Sequence, residues 1–138
     1  MRQSLHSVNI QTHGKQLYDI TGEVLNLVCS TRVEIGLLSV YCRHTAASLI
    51  IQENADPSVQ VDICRFFDRL VDETDVYEHW AEGGDDMPAH IRTALTQSHL
   101  SIPIANGVPV LGAWQAIYLF EHRTKPHCRE LMIHILVL

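Results

Sequence analysis

The 138-residue chain has no apolar run of the ~18 residues that a bilayer-spanning helix needs, so no membrane partner is expected. Basic residues are scarce. Ten Lys and Arg stand against sixteen Asp and Glu, a formal net charge of −6, and so acidic a chain is a poor binder of a phosphate backbone. Nucleic acid is therefore not expected as a partner. No two of Cys29, Cys42, Cys64 and Cys128 lie close enough for a C-x-x-C pair, which argues against a structural zinc knot. Residues 1–15 alternate polar and apolar side chains without a signal-peptide core, so the thiols are expected to be reduced, buried and cytoplasmic. There is no P-loop, no G-x-G-x-x-G, no G-x-S-x-G and no H-E-x-x-H. Neither repeats nor linkers appear, and the length suits one domain, residues 1–138.

What is present is an ordinary globular balance, 46% hydrophobic and 19% charged, with nine histidines that favour metal or proton-transfer chemistry. Alternating patterns predict strands over 4–11, 17–20, 46–52, 114–121 and 131–138. The run IGLLSVYC at 35–42 reads as a strand covered on both faces. Asn106-Gly107 predicts a tight hairpin between 100–105 and 108–111, because both residues tolerate positive φ. Thr21 is expected to cap a helix running to residue 29. Asp56 and Pro57 start the best helix, with Val59, Ile63, Phe66, Phe67, Leu70 and Val71 on one stripe. A shorter helix is expected from about Asp86, with Ile91, Ala94 and Leu95 inward. The sum is seven or eight strands, mostly antiparallel, with two or three helices: an α+β chain that is mainly β.

The polar residues gather in four stretches. His44, Thr45 and Ser48 follow the apolar strand; Glu53 and Asp56 precede the main helix; His79, Asp85, Asp86 and His90 surround Gly83-Gly84; Trp114, Gln115, Glu121, Arg123 and Arg129 lie late in the chain. His44, His79 and His90 could give three imidazoles to one metal, the usual catalytic zinc arrangement. The carboxylates offer oxygen ligands suited to magnesium. From residue types alone, loop histidines and helix-capping acids account for the same residues, capping being favoured for Asp56 and Asp86 and a solvated helix face for Asp62. If its face of the strand is covered, Glu121 needs a partner, with Arg129 or Arg123 available.

Taken in order, HTAASLIIQENADP (44–57), YEHWAEGGDDMPAHI (77–91), the IP…NG turn (102–107) and LGAWQAIYLFEHR (111–123) resemble the YjbQ-like family, often labelled secondary thiamine-phosphate synthase. The resemblance spans nearly the whole chain. It implies a jelly-roll-like antiparallel β-sandwich with two or three helices packed on it, assembled as a homotrimer. It also implies a divalent metal, zinc or magnesium, and an activity joining a pyrimidine pyrophosphate to a thiazole phosphate with release of pyrophosphate. The expected partners are then a small phosphorylated metabolite and further copies of the chain. The family's polar positions fall on His44, Thr45, Ser48, Glu53, Asp56, Asp62, His79, Asp86, His90, Trp114, Gln115, Glu121 and Arg129. In that reading His44, His79 and His90 hold the metal. Glu53, Asp86 and Glu121 are catalytic, and Thr45, Ser48, Trp114, Gln115 and Arg129 bind substrate. Gln97, Val108, Ala113 and Ala116 depart from the family's pattern; Val108 removes a basic residue and Ala116 adds a methyl group. Metal-assisted hydrolysis of a small phosphoester or amide, and a trimeric metabolite-binding module without turnover, are the alternatives.

Overall fold

The structure is a computed structural model that describes residues 1–137. Its strands are β1 (Arg2–Thr12), β2 (Gln16–Asp19), β3 (Gly36–Cys42), β4 (Ala47–Glu53), β5 (His99–Ala105), β6 (Val108–Pro109), β7 (Gln115–Glu121) and β8 (His127–Val137). The helices are α1 (Thr21–Ser30), α2 (Pro57–Leu70) and α3 (Asp86–Leu95). Five strands form one sheet in the order β1-β8-β3-β5-β6, and three form a second in the order β2-β7-β4. All named pairings are antiparallel, and β1 meets β8 from Arg2↔Val137 to Thr12↔His127. This is the expected α+β, mainly β sandwich. Residue 138, the end of the expected last strand, lies outside the described residues.

The main core lies between the sheets. Leu38, Val40, Leu131, Ile133 and Ile135 from the larger sheet meet Leu49, Ile117 and Leu119 from the smaller, with Val24 and Val28 of α1 closing one side. In β8 every second residue from Arg129 to Val137 is buried, the period of a strand with one covered face. In β7 the six residues from Ala116 to Glu121 are all buried, because α2 covers the outer face of the smaller sheet. Phe67 of α2 stands edge-on to Phe120 with ring centroids 5.4 Å apart, a favourable aromatic geometry. β4 runs back along β7, with Ala47 opposite Glu121 at one end and Glu53 opposite Gln115 at the other.

Several local expectations hold for the reasons given. Asp56 accepts the Ser58 N–H at 2.9 Å and Pro57 opens α2. Asn106 and Gly107 turn with φ of 53° and 80°. Others are corrected. Thr21 does not cap α1 through its side chain; its hydroxyl accepts the Ile117 N–H at 2.9 Å and ties the helix to β7. In α3 the inner positions go to Pro88, Ala89 and Arg92, while Leu95 is 55% exposed. Arg92 can sit there because its guanidinium donates to the Val71 carbonyl at 3.0 Å and to Glu73 at 3.2 Å. On α2, Phe66 and Leu70 are half-exposed, so the covered stripe is narrower than the apolar one. Cys42 is buried and Cys64 partly so, but Cys29 and Cys128 face outward, Cys128 because it alternates with buried Arg129.

Candidate metal centre

α3 carries Asp86 in its first turn and His90 one turn later, and residues four apart share a helix face. The loop before α3 brings in His79. Both imidazoles aim Nε2 at one oxygen, Asp86 Oδ2, at 2.7 Å from His79 and 3.1 Å from His90. One ligating atom from each of the three residues lies within 4.8 Å of the other two.

The protonation pattern is the informative part. His90 Nδ1 lies 2.7 Å from the Thr45 carbonyl, which only accepts, so Nδ1 carries the proton. In neutral His90, Nε2 is then a bare lone pair facing a carboxylate oxygen. Two acceptors at 3.1 Å need a positive charge between or on them, either an imidazolium proton or a metal ion. An ion bonded tetrahedrally at about 2.0–2.2 Å holds neighbouring donor atoms about 3.3–3.6 Å apart, so modest movements of these side chains admit one. The Nδ1–H to carbonyl bond is also the usual way a ligating imidazole is oriented. The residues therefore fit a divalent cation, and a set of two imidazoles and one carboxylate suits zinc and its transition-metal neighbours better than magnesium.

Burial pushes the Asp86 carboxyl up, but His79, His90 and Arg123 outweigh it and hold the group below the usual carboxylate range. Next to it, burial opposes ionisation of Asp85, yet the Thr124 N–H and Arg123 bring its carboxyl down to about 2. Asp86 is thus a buried, ionised carboxylate that could serve as a ligand.

A cavity of about 560 Å³ opens beside the cluster, lined by His44, Thr45, His79, Met87, His90, Thr93, Ala94 and Ser98. His44 belongs to its wall and not to the three-residue cluster. Its Nε2 accepts the Glu130 N–H at 2.8 Å. Burial, with Arg129 nearby, lowers its pKa and keeps the ring neutral, so Nδ1 carries its proton and the ring is a hydrogen-bond donor in this state. Thr93 lines the same cavity, but its hydroxyl is buried and has no hydrogen-bond partner among the described residues.

The remaining expected site residues lie elsewhere. Ser48 is fully buried, 2.9 Å from His122 Nε2 and 2.5 Å from the Thr96 hydroxyl. Glu121 and Arg129 are buried against one another in a two-point pair. Glu53, Trp114 and Gln115 sit at the far end of the β4–β7 ladder from Glu121, about 20 Å away along six residues of strand. There Trp114 is largely exposed and Gln115 Oε1 accepts the Gly112 N–H. Asp56 caps α2, and Asp62 is exposed on that helix. Of the positions that depart from the family's pattern, Gln97 bridges to Leu49 and Ala116 is buried under α2, while Val108 and Ala113 are exposed.

The profile described as UPF0047 protein YjbQ-like matches residues 6–137. The chain belongs to the YjbQ family. It is 49% identical over 97% of its length, and 92% of the relative's, to UPF0047 protein sll1880 of Synechocystis sp.. It is 39% identical over 91% of its length, and 92% of the relative's, to UPF0047 protein YjbQ of Escherichia coli O157:H7. A crystal structure of a YjbQ/UPF0047 family protein from Clostridium acetobutylicum superposes with a TM-score of 0.89 at 36% identity, covering 95% of this chain and 99% of the other; it is described as an uncharacterized conserved protein. Among the described residues, no helix is long and apolar enough to cross a membrane.

Sequence reasoning named Asp86 as a catalytic residue and as one of several oxygen donors but did not group it with His79 and His90, although the i, i+4 spacing to His90 was a signal. It missed two further contacts. Arg123, which contacts both Asp85 and Asp86, and His122, the partner of Ser48, had no such signal, because their roles depend on strands and loops that meet only in space.

Proposed function

We propose that this protein is a metal-dependent enzyme acting on a small phosphorylated metabolite, with a thiamine-phosphate synthase-type transfer as its reaction. The supporting observation is the meeting of His90 Nε2 with Asp86 Oδ2, a contact that takes a proton or a metal ion between them, beside a cavity of about 560 Å³. In that reaction the thiazole ring nitrogen bonds to the pyrimidine methylene carbon while the carbon–oxygen bond to pyrophosphate breaks. The pyrophosphate leaves with the bonding electrons. A divalent ion on His79, Asp86 and His90 would supply the charge that stabilises the leaving group. The neutral His44 ring offers an N–H to an anionic oxygen. Met87 and Ala94 add an apolar part to the cavity wall.

Among the described residues, none of those lining the cavity is Lys or Arg. This favours, as a second reading, metal-assisted hydrolysis of a small phosphoester or amide, which demands less counter-charge than a pyrophosphate. The assembly proposed is a homotrimer and the compartment the cytoplasm; the four free thiols suit the latter. A sedimentation run giving a monomer at micromolar concentration would remove the trimer.

The test is product formation by purified protein given the two phosphorylated precursors with Zn²⁺, Mn²⁺ or Mg²⁺. Equal product from the wild type and a His79→Ala/His90→Ala double variant would sink the enzyme reading. Turnover of a phosphoester without the thiazole acceptor would select hydrolysis. A ligand-dependent thermal shift without any product would select a binding module.

A further inference from the structure

Arg123 is one residue past the end of a fully buried chain of contacts. Glu121 Oε2 accepts the backbone N–H of His122 at 3.0 Å and of Arg123 at 3.1 Å. Glu121 is itself held by the Thr12 hydroxyl at 2.6 Å and by Arg129. The backbone at 122–123 is therefore fixed by the core of the sandwich. From that fixed point the Arg123 side chain crosses to the loop before α3 and uses all three of its nitrogens there. Nε donates to Asp85 Oδ2 at 3.0 Å, Nη1 to Asp86 Oδ1 at 2.6 Å and Nη2 to the Glu82 carbonyl at 3.0 Å. Asp85 Oδ2 also accepts the Thr124 N–H at 2.9 Å, so the grip has two ends.

The consequence falls on one carboxylate. With Oδ1 of Asp86 taken by Arg123, only Oδ2 is left to the two imidazoles. Arg123 and Asp86 are both largely withdrawn from water, side chains 17% and 7% exposed, where a charge-assisted bond is strong and directional.

We infer that Arg123 is the positioning residue of the metal centre: it turns Asp86 so that a single oxygen joins His79 and His90, and it transmits the rigidity of the buried Glu121–Arg129 pair to the ligand loop. This rests on the metal reading above. Guanidinium is required because three acceptors in fixed directions need a planar fork, which an ammonium cannot supply. Arg123 touches neither the cavity nor the two imidazoles, so its action is through Asp86.

The test is metal binding, independent of turnover. Metal-free wild type, Arg123→Lys and Arg123→Gln are titrated with Zn²⁺ by calorimetry and with Co²⁺ by visible absorption, whose bands report ligand number and geometry. Arg123→Gln is expected to bind about 10–100-fold more weakly, with altered Co²⁺ bands. Arg123→Lys should lie between it and the wild type. Wild-type affinity and spectrum in a folded Arg123→Gln protein would overturn the inference while leaving the centre intact. If Arg123→Gln fails to fold, the same wild-type values in Arg123→Lys would overturn it. A wild-type chain that binds neither ion removes the centre itself, a different and separately visible failure.

Discussion

Arg129 holds Glu121 by both carboxylate oxygens, Nε to Oε1 and Nη2 to Oε2, each at 2.7 Å, with Glu121 shut off from solvent. Burial alone would raise its pKa; Arg129, the Thr12 hydroxyl and two backbone N–H groups outweigh that and lower it. The pair is a structural element, although both members were expected at the reacting centre.

Glu121→Gln should accordingly destabilise the fold by about 3–5 kcal/mol, because it strands a buried guanidinium. Urea denaturation of wild type and variant measures it. A change below 1 kcal/mol would show that water reaches the pair.

His44 and Asp86 should separate in a metal-binding assay. Asp86→Asn is expected to weaken Zn²⁺ binding by two orders of magnitude or so, and His44→Ala to leave it within about twofold while product formation falls. A large loss of metal affinity in His44→Ala would return His44 to the ligand set.

Stability should rise with pH on the acid side of neutrality. Burial, with Arg92 nearby, lowers the His122 pKa from an ordinary 6.5 to about 3. Between those values the unfolded chain binds a proton that the folded one refuses, so this residue's contribution grows as pH rises from about 3 to 6.5, by roughly 1.4 kcal/mol per unit, and is complete above 6.5. Denaturation midpoints from pH 4.5 to 7.5, with His122→Asn for comparison, test it. A variant with the same slope as the wild type would assign the effect to other groups.

Gly36→Ala should cost about 1–3 kcal/mol, because the added Cβ would collide with the Leu136 carbonyl of the paired strand and β8 would have to shift. An unchanged thermal midpoint would refute the close approach.

The main helix, the hairpin turn and the alternating strands were legible because each depends on neighbours within a few residues: Asp56 and Pro57 at a helix start, Asn106-Gly107 at a turn. His79, Asp86 and His90 were legible as polar positions, two of them as expected ligands. Arg92 was not. An arginine on an apolar helix face is assigned to solvent unless the carbonyl of Val71 and the carboxylate of Glu73, about twenty residues upstream, are known to await it. Glu121 shows both sides. Its need for a basic partner followed from its strand position, but the choice of Arg129 over Arg123 required the antiparallel return of β8.

Local periodicity, turn chemistry and motif order were enough to place this chain in an antiparallel sandwich and in its family, since those signals are written within short windows of residues. Which imidazoles meet, which carboxylate they share and which arginines are buried were decided by the folded chain alone. Those outcomes depend on distances between segments tens of residues apart, and on whether each buried charge finds a partner there.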